Sequence, residues 1–141
     1  MGDGGAFRAL FRVVVLLHAA LTLVQPVAAG AVLQASTVGL AVHQAVGGVL
    51  LLVAFVQVPV AVLAWRPGRL PAWPIAVSAG LVVVETAQVA VGATGVLAVH
   101  VPLGVAIVGA AVGLAWWAVR ARPPARPARR VPPSPPRQAV R

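Results

Sequence analysis

A four-helix, all-α bundle embedded in a membrane is the fold this sequence predicts. Three observations predict it: four apolar runs longer than the ~20 residues a helix needs to cross hydrocarbon, almost no charge inside those runs, and arginine confined to alternate connections. Hydrophobic residues make up 60% of the 141-residue chain and charged ones only 9%, whereas a soluble domain carries roughly 25% charge to cover its surface. Helix is the form that fits. No alternating pattern supports a barrel, and backbone groups in lipid must pair within their own segment.

The first apolar run covers about residues 11–33, after an N-terminal stretch of residues 1–10. Arg8, Arg12, the apolar stretch from Val13 and the Val27-Ala28-Ala29 sequence together mimic a cleavable signal peptide. The apolar run nevertheless continues through Val32 and Leu33 and carries His18 and Gln25, which favours a retained first helix. The second run covers about residues 38–65, the third 72–94 and the fourth 98–119. Pro26 and Pro59 fall inside helices one and two and are expected to kink them, while Pro74 and Pro102 fall in first turns, where proline is tolerated.

Orientation follows from the connections. All eleven basic residues are Arg: Arg8 and Arg12 precede the first helix, Arg66 and Arg69 occupy the second connection, and seven lie in residues 120–141. The connections around Gln34–Thr37 and Thr94–Leu97 carry no charge. Arginine near helix ends resists translocation, so the N-terminus, middle loop and C-terminal tail are expected to be cytoplasmic. Trp65, Trp73, Trp116 and Trp117 fall at that same interface, as amphipathic rings prefer. The expected location is thus the plasma membrane, multi-pass, and the Ala/Val/Arg-heavy, lysine-free composition is that of a GC-rich bacterial genome.

The net charge of +9 is not a nucleic-acid footprint, because its arginines follow the topology and crowd the tail. That tail, residues 120–141, holds seven prolines and is expected to be disordered or locally polyproline-like. It fixes topology, and its arginines can attract anionic lipid headgroups. Cysteine is absent, which excludes disulfides, thiolate metal sites and thiol redox chemistry. There is also no phosphate-cradling loop, no zinc spacing and no serine–histidine–carboxylate set.

Four ionisable residues lie inside the apolar runs: His18, His43, His100 and Glu85. Such groups are expensive in hydrocarbon and are functional candidates by default. His43 and His100 lie within ~10 Å of the outer ends of helices two and four, at 1.5 Å rise per residue. Each opens the same phrase, A-V-H-x-x-x-G: Ala41-Val42-His43 with Gly47, and Ala98-Val99-His100 with Gly104. A glycine at i+4 lies under the histidine on the same helix face and clears a slot for a flat ring. Gln25 with Gly30 in helix one echoes Gln88 with Gly92 in helix three. The chain therefore reads as two similar hairpins related by a pseudo-twofold axis along the membrane normal. On such an axis His43 and His100 face each other, the arrangement that bis-histidine ligation of haem iron requires in a four-helix interior.

The histidines on helices two and four, with Gln88, Val89 and Gly92 on helix three, resemble one half of the haem A synthase family. In that family a duplicated four-helix unit pairs histidines from its second and fourth helices at a haem. The chain also resembles small bacterial four-helix membrane proteins of unknown function, whose first helix carries a run like Gln25, Ala29 and Gly30. The resemblance covers roughly residues 10–120. It departs from the synthase in being a single half-unit, without an extracellular cysteine pair and without a carboxylate just before His43. What the resemblance implies is haem binding rather than haem modification.

The leading expectation is a haem b protein with His43 and His100 as axial ligands to the iron and Gly47 and Gly104 beside them, serving electron transfer or holding haem within a larger assembly. A different class stays open: a cofactor-free membrane protein acting through helix contacts with a partner, in which the histidines bond backbone carbonyls and the glycines allow close helix approach. A haem-modifying homodimer, rebuilding the duplicated family architecture, is the third. No catalytic residue is assigned. Glu85, Gln88 and Gly92 share one face at i, i+3 and i+7, and His18 is the candidate partner of Glu85 in a buried polar pair that fixes helix packing. Gln57 and Thr86 add polar groups without defining a site.

Overall fold

A computed structural model describes residues 3–122, and the proline- and arginine-rich stretch beyond Arg122 lies outside them. Among the described residues the chain is four α-helices with no strand: α1 (Asp3–Leu33), α2 (Thr37–Trp65), α3 (Trp73–Thr94) and α4 (Leu97–Arg120). All four are long and apolar enough to cross a membrane. Large apolar side chains such as Val27, Leu33, Val38, Val83 and Val105 stand on the outer surface. So much exposed apolar area is unsuited to water and suited to lipid.

Connections and caps set the boundaries. Ser36 accepts a hydrogen bond from Gly39 N–H and caps α2, supplying one of the partners that a helix start lacks. Gly39 also lies close against α1: a Cβ there would sit 2.6 Å from Ala31 Cβ. Pro74 lies in the first turn of α3, where no N–H is needed. Gly95 ends α3 in the left-handed region, at φ 73°, which glycine enters without steric cost.

Two boundaries differ from the sequence reading. α1 starts at Asp3, eight residues before the apolar run, because Arg8 and Arg12 work inside the helix rather than ahead of it. Arg8 donates to Gly68 O at 2.9 Å, and Arg12 donates to Ala118 O and Ala121 O at 2.9 and 2.8 Å. α4 starts at Leu97 with Val96 at its N-cap. Pro102 therefore falls in the second turn, past the tolerant first one, and cannot donate to Ala98 O.

The helices form a ring in chain order. α1 packs on α2 and α4, and α3 packs on α2 and α4, while the diagonal pairs α1/α3 and α2/α4 do not pack backbone to backbone. Up-and-down topology gathers the described arginines (Arg8, Arg12, Arg66, Arg69, Arg120 and Arg122) at one end. The aromatic anchors lie there too. Trp73 and Trp117 meet edge to face at 4.5 Å, and Arg66 and Arg120 lie over the rings of Trp65 and Trp116.

Packing is uneven along the bundle. The half nearer the arginines is filled by Phe11, Val15, Ala61, Ala64, Leu81, Leu114, Ala115 and Ala118. Alanines there let helices approach closely, which dispersion rewards where lipid offers no hydrophobic drive. The opposite half is open inside.

Candidate functional site

The open half holds a cavity of about 520 Å³, within the range of small-molecule and cofactor sites. It extends from Leu40, Gly95 and Leu97 at the uncharged end to Thr22, Glu85 and Ile107 near mid-bundle. His43, Gly47, Gln25, Gln88, Gly92, His100 and Gly104 all line it. Its wall is otherwise mostly alanine, valine, leucine and glycine, so polar groups here are few and placed.

His43 and His100 meet across the α2/α4 diagonal, with ring centroids 6.0 Å apart and ring planes 59° from each other. Both are part-buried. Each is held through its backbone carbonyl by a glutamine of the preceding helix: Gln25 Nε2 donates to His43 O at 3.2 Å, and Gln88 Nε2 donates to His100 O at 2.9 Å. These amides lie over the paired glycines. A Cβ on Gly47 would stand 3.3 Å from Gln25 Nε2, and one on Gly104 2.9 Å from Gln88 Nε2. The glycines therefore make room for a glutamine, which lies between the histidine's helix and its neighbour. Sequence reasoning assigned that space to a flat ring, because spacing along one helix says nothing about what the next helix inserts.

The two halves are alike but not identical. His100 Nδ1 lies 3.2 Å from Gln88 O. A carbonyl only accepts, so Nδ1 carries a proton. Gly92 gives this ring its seat, since a Cβ there would stand 2.9 Å from His100 Cε1. His43 Nδ1 is instead buried without a hydrogen-bond partner. Four residues after Gln25 comes Ala29, where four after Gln88 comes Gly92. Gly30, expected to match Gly92, faces open space: it is one residue out of step, which turns it about 100° around the helix.

Below the histidines a polar chain crosses the other diagonal. His18 Nε2 lies 2.6 Å from Glu85 Oε1, and His18 Nδ1 lies 2.9 Å from Gln57 Oε1. Gln57 Nε2 donates to Ser78 Oγ at 3.0 Å. All four residues are buried, and they tie α1, α2 and α3 together. Glu85 Oε2 has no partner, and the residue borders the cavity floor. Gln57 thus belongs to a defined cluster, which its isolated place in an apolar run concealed. Ser78 was missed altogether, although it precedes Glu85 by seven residues and so shares its helix face. Thr86 bonds only Val82 O and is exposed.

Among the described residues no group of three or more His, Cys, Asp or Glu side chains comes together as a metal cluster. Of the three histidines, His43 and His100 line the cavity from opposite helices. Comparison with protein-family models, curated proteins and solved structures finds no match to the chain.

Proposed function

We propose that the chain is a plasma-membrane haem b protein whose axial ligands are His43 and His100, with both termini on the cytoplasmic side. One observation carries the reading: the 6.0 Å separation of the two imidazole rings across the bundle. An atom bound at ~2 Å to a nitrogen of each ring, with each ring centre ~1.1 Å farther on, would set the centroids ~6.2 Å apart. The donor set fits as well, since neutral imidazole is an established haem ligand. His100, protonated at Nδ1 by its bond to Gln88 O, offers Nε2 as a ligand. The arginine-rich end supports the orientation, because arginine stays on the cytoplasmic side.

Haem b, when bound, supplies a one-electron iron couple. The chain's own contribution is position and solvent exclusion. Gln25 and Gln88 hold the backbones of the two histidines, Gly92 seats the His100 ring, and apolar residues such as Leu51, Val89 and Val108 keep the cavity wall dry. Electron transfer, or retention of haem for a larger assembly, is the activity such a site serves. A homodimer or another membrane protein is the partner class.

A second reading has its own observation. The Gln25 and Gln88 amides occupy the space over Gly47 and Gly104 and bond the histidine carbonyls, as expected of a cofactor-free bundle whose polar groups serve packing. Optical spectra of detergent-purified protein, oxidised and dithionite-reduced, decide between them. Sharp reduced α and Soret bands, altered in His43→Ala and lost in His100→Ala, are expected. A protein that stays colourless when expressed with abundant haem would reject haem binding and leave the packing role.

A further inference from the structure

We infer that the two ligands are unequal: His100 is a fixed axial ligand and His43 a displaceable one, so that the site admits a neutral diatomic π-acceptor gas on the His43 side. The inference rests on the haem reading and deepens it. Its basis is a departure from the internal twofold at the histidines themselves.

Three features fix His100. Its Nδ1–H donates to Gln88 O at 3.2 Å, its backbone O accepts from Gln88 Nε2 at 2.9 Å, and its ring lies on Gly92. An outer bond of this kind sets tautomer and ring orientation and raises the basicity of the ligating nitrogen. His43 shares only the backbone contact, from Gln25 Nε2 at 3.2 Å. Its Nδ1 is buried with no partner, and Ala29 replaces the glycine on which a matching seat would depend. A ring without an orienting bond gives up ligation more cheaply than one pinned at both ends. The cavity wall beside His43 is built from Leu40, Gln44 and Gly48 of its own helix. With haem held by His100, His43 would be the residue that gives way to carbon monoxide, an exchange that would move no electron or proton.

The test has a haem-free and a haem-loaded part. In haem-free protein carrying ¹⁵N-labelled histidine, NMR should report a single Nδ1–H tautomer for His100 and an averaged state for His43. Gly92→Ala should abolish the difference by unseating His100. With haem, carbon monoxide added to the reduced wild type should shift the Soret band. His43→Ala should retain haem, while His100→Ala should bind it more than about tenfold more weakly. Two histidines alike in the haem-free spectrum would overturn the inference. So would a carbon monoxide-inert wild type in which both alanine variants lose haem equally, and either result leaves haem binding itself intact. A wild type that takes up no haem removes both readings.

Discussion

His18 and Glu85 are joined by a 2.6 Å hydrogen bond across the α1/α3 diagonal, two helices whose backbones do not pack on each other. His43 and His100 meet across the other diagonal, nearer the uncharged end. The bundle is thus crossed at two levels by polar pairs at right angles in connectivity. Below them the interior is closed by Phe11, Val15 and Leu81.

Removing one member of the lower pair should be costly. His18→Ala leaves Glu85 Oε1 and Gln57 Oε1 without their buried partner, at a cost of about 1–3 kcal/mol. Glu85→Gln keeps the shape and one hydrogen bond and should cost less. Unfolding in mixed detergent, run as a double-mutant cycle, measures both. Additive effects of the two substitutions would show that the pair is not coupled.

Arg12 should stabilise the end of α4. Its two bonds, to Ala118 O and Ala121 O, bring positive charge to carbonyls at a helix C-terminus. Arg12→Ala is expected to cost about 1–2 kcal/mol and to speed amide exchange in the last turn of α4. Arg12→Lys should recover part of this, since an ammonium replaces the charge but not the planar fork. Exchange unchanged in Arg12→Ala would dismiss the cap.

Gly39 should resist enlargement. Its Cβ would meet Ala31 Cβ at 2.6 Å and backbone atoms of Ala31 and Val32 at 3.1 Å, and helix backbone cannot step aside as a flexible side chain can. Gly39→Ala is expected to destabilise by about 1–3 kcal/mol. Gly48→Ala, with open space around it, is the control and should be near neutral. The comparison is read from thermal unfolding in detergent.

Topology can be measured directly because the chain has no cysteine. A membrane-impermeant maleimide applied to intact cells should label Gln34→Cys and Thr94→Cys, at the uncharged connections, but not Arg69→Cys in the α2–α3 connection. The reverse pattern would place the arginine-rich end outside and contradict the proposed orientation.

The sequence by itself determined the class of fold. Apolar runs of this length leave helix as the form that satisfies the backbone in lipid, so four helices, their order and the charge-poor and charge-rich ends were legible residue by residue. The two matched histidine phrases were legible as well, because they lie within single helices and need no knowledge of neighbours. Even the pairing of His18 with Glu85 could be anticipated, since each was the intramembrane ionisable residue of its helix nearest mid-membrane.

Tertiary structure alone decided what each pattern was for. Gly47 and Gly104 face glutamines from the preceding helices, Gly92 seats a histidine while Gly30 seats nothing, and Arg12 reaches over a hundred residues along the chain to the end of α4. The physical reason is common to all three. Periodicity fixes which face of a helix a residue occupies, but the rotation and height of one helix against the next are set by packing and hydrogen bonds between them. In a chain built from alanine, valine, leucine and glycine, many settings look alike from one strand of text. The few polar side chains choose among them only once the helices have met.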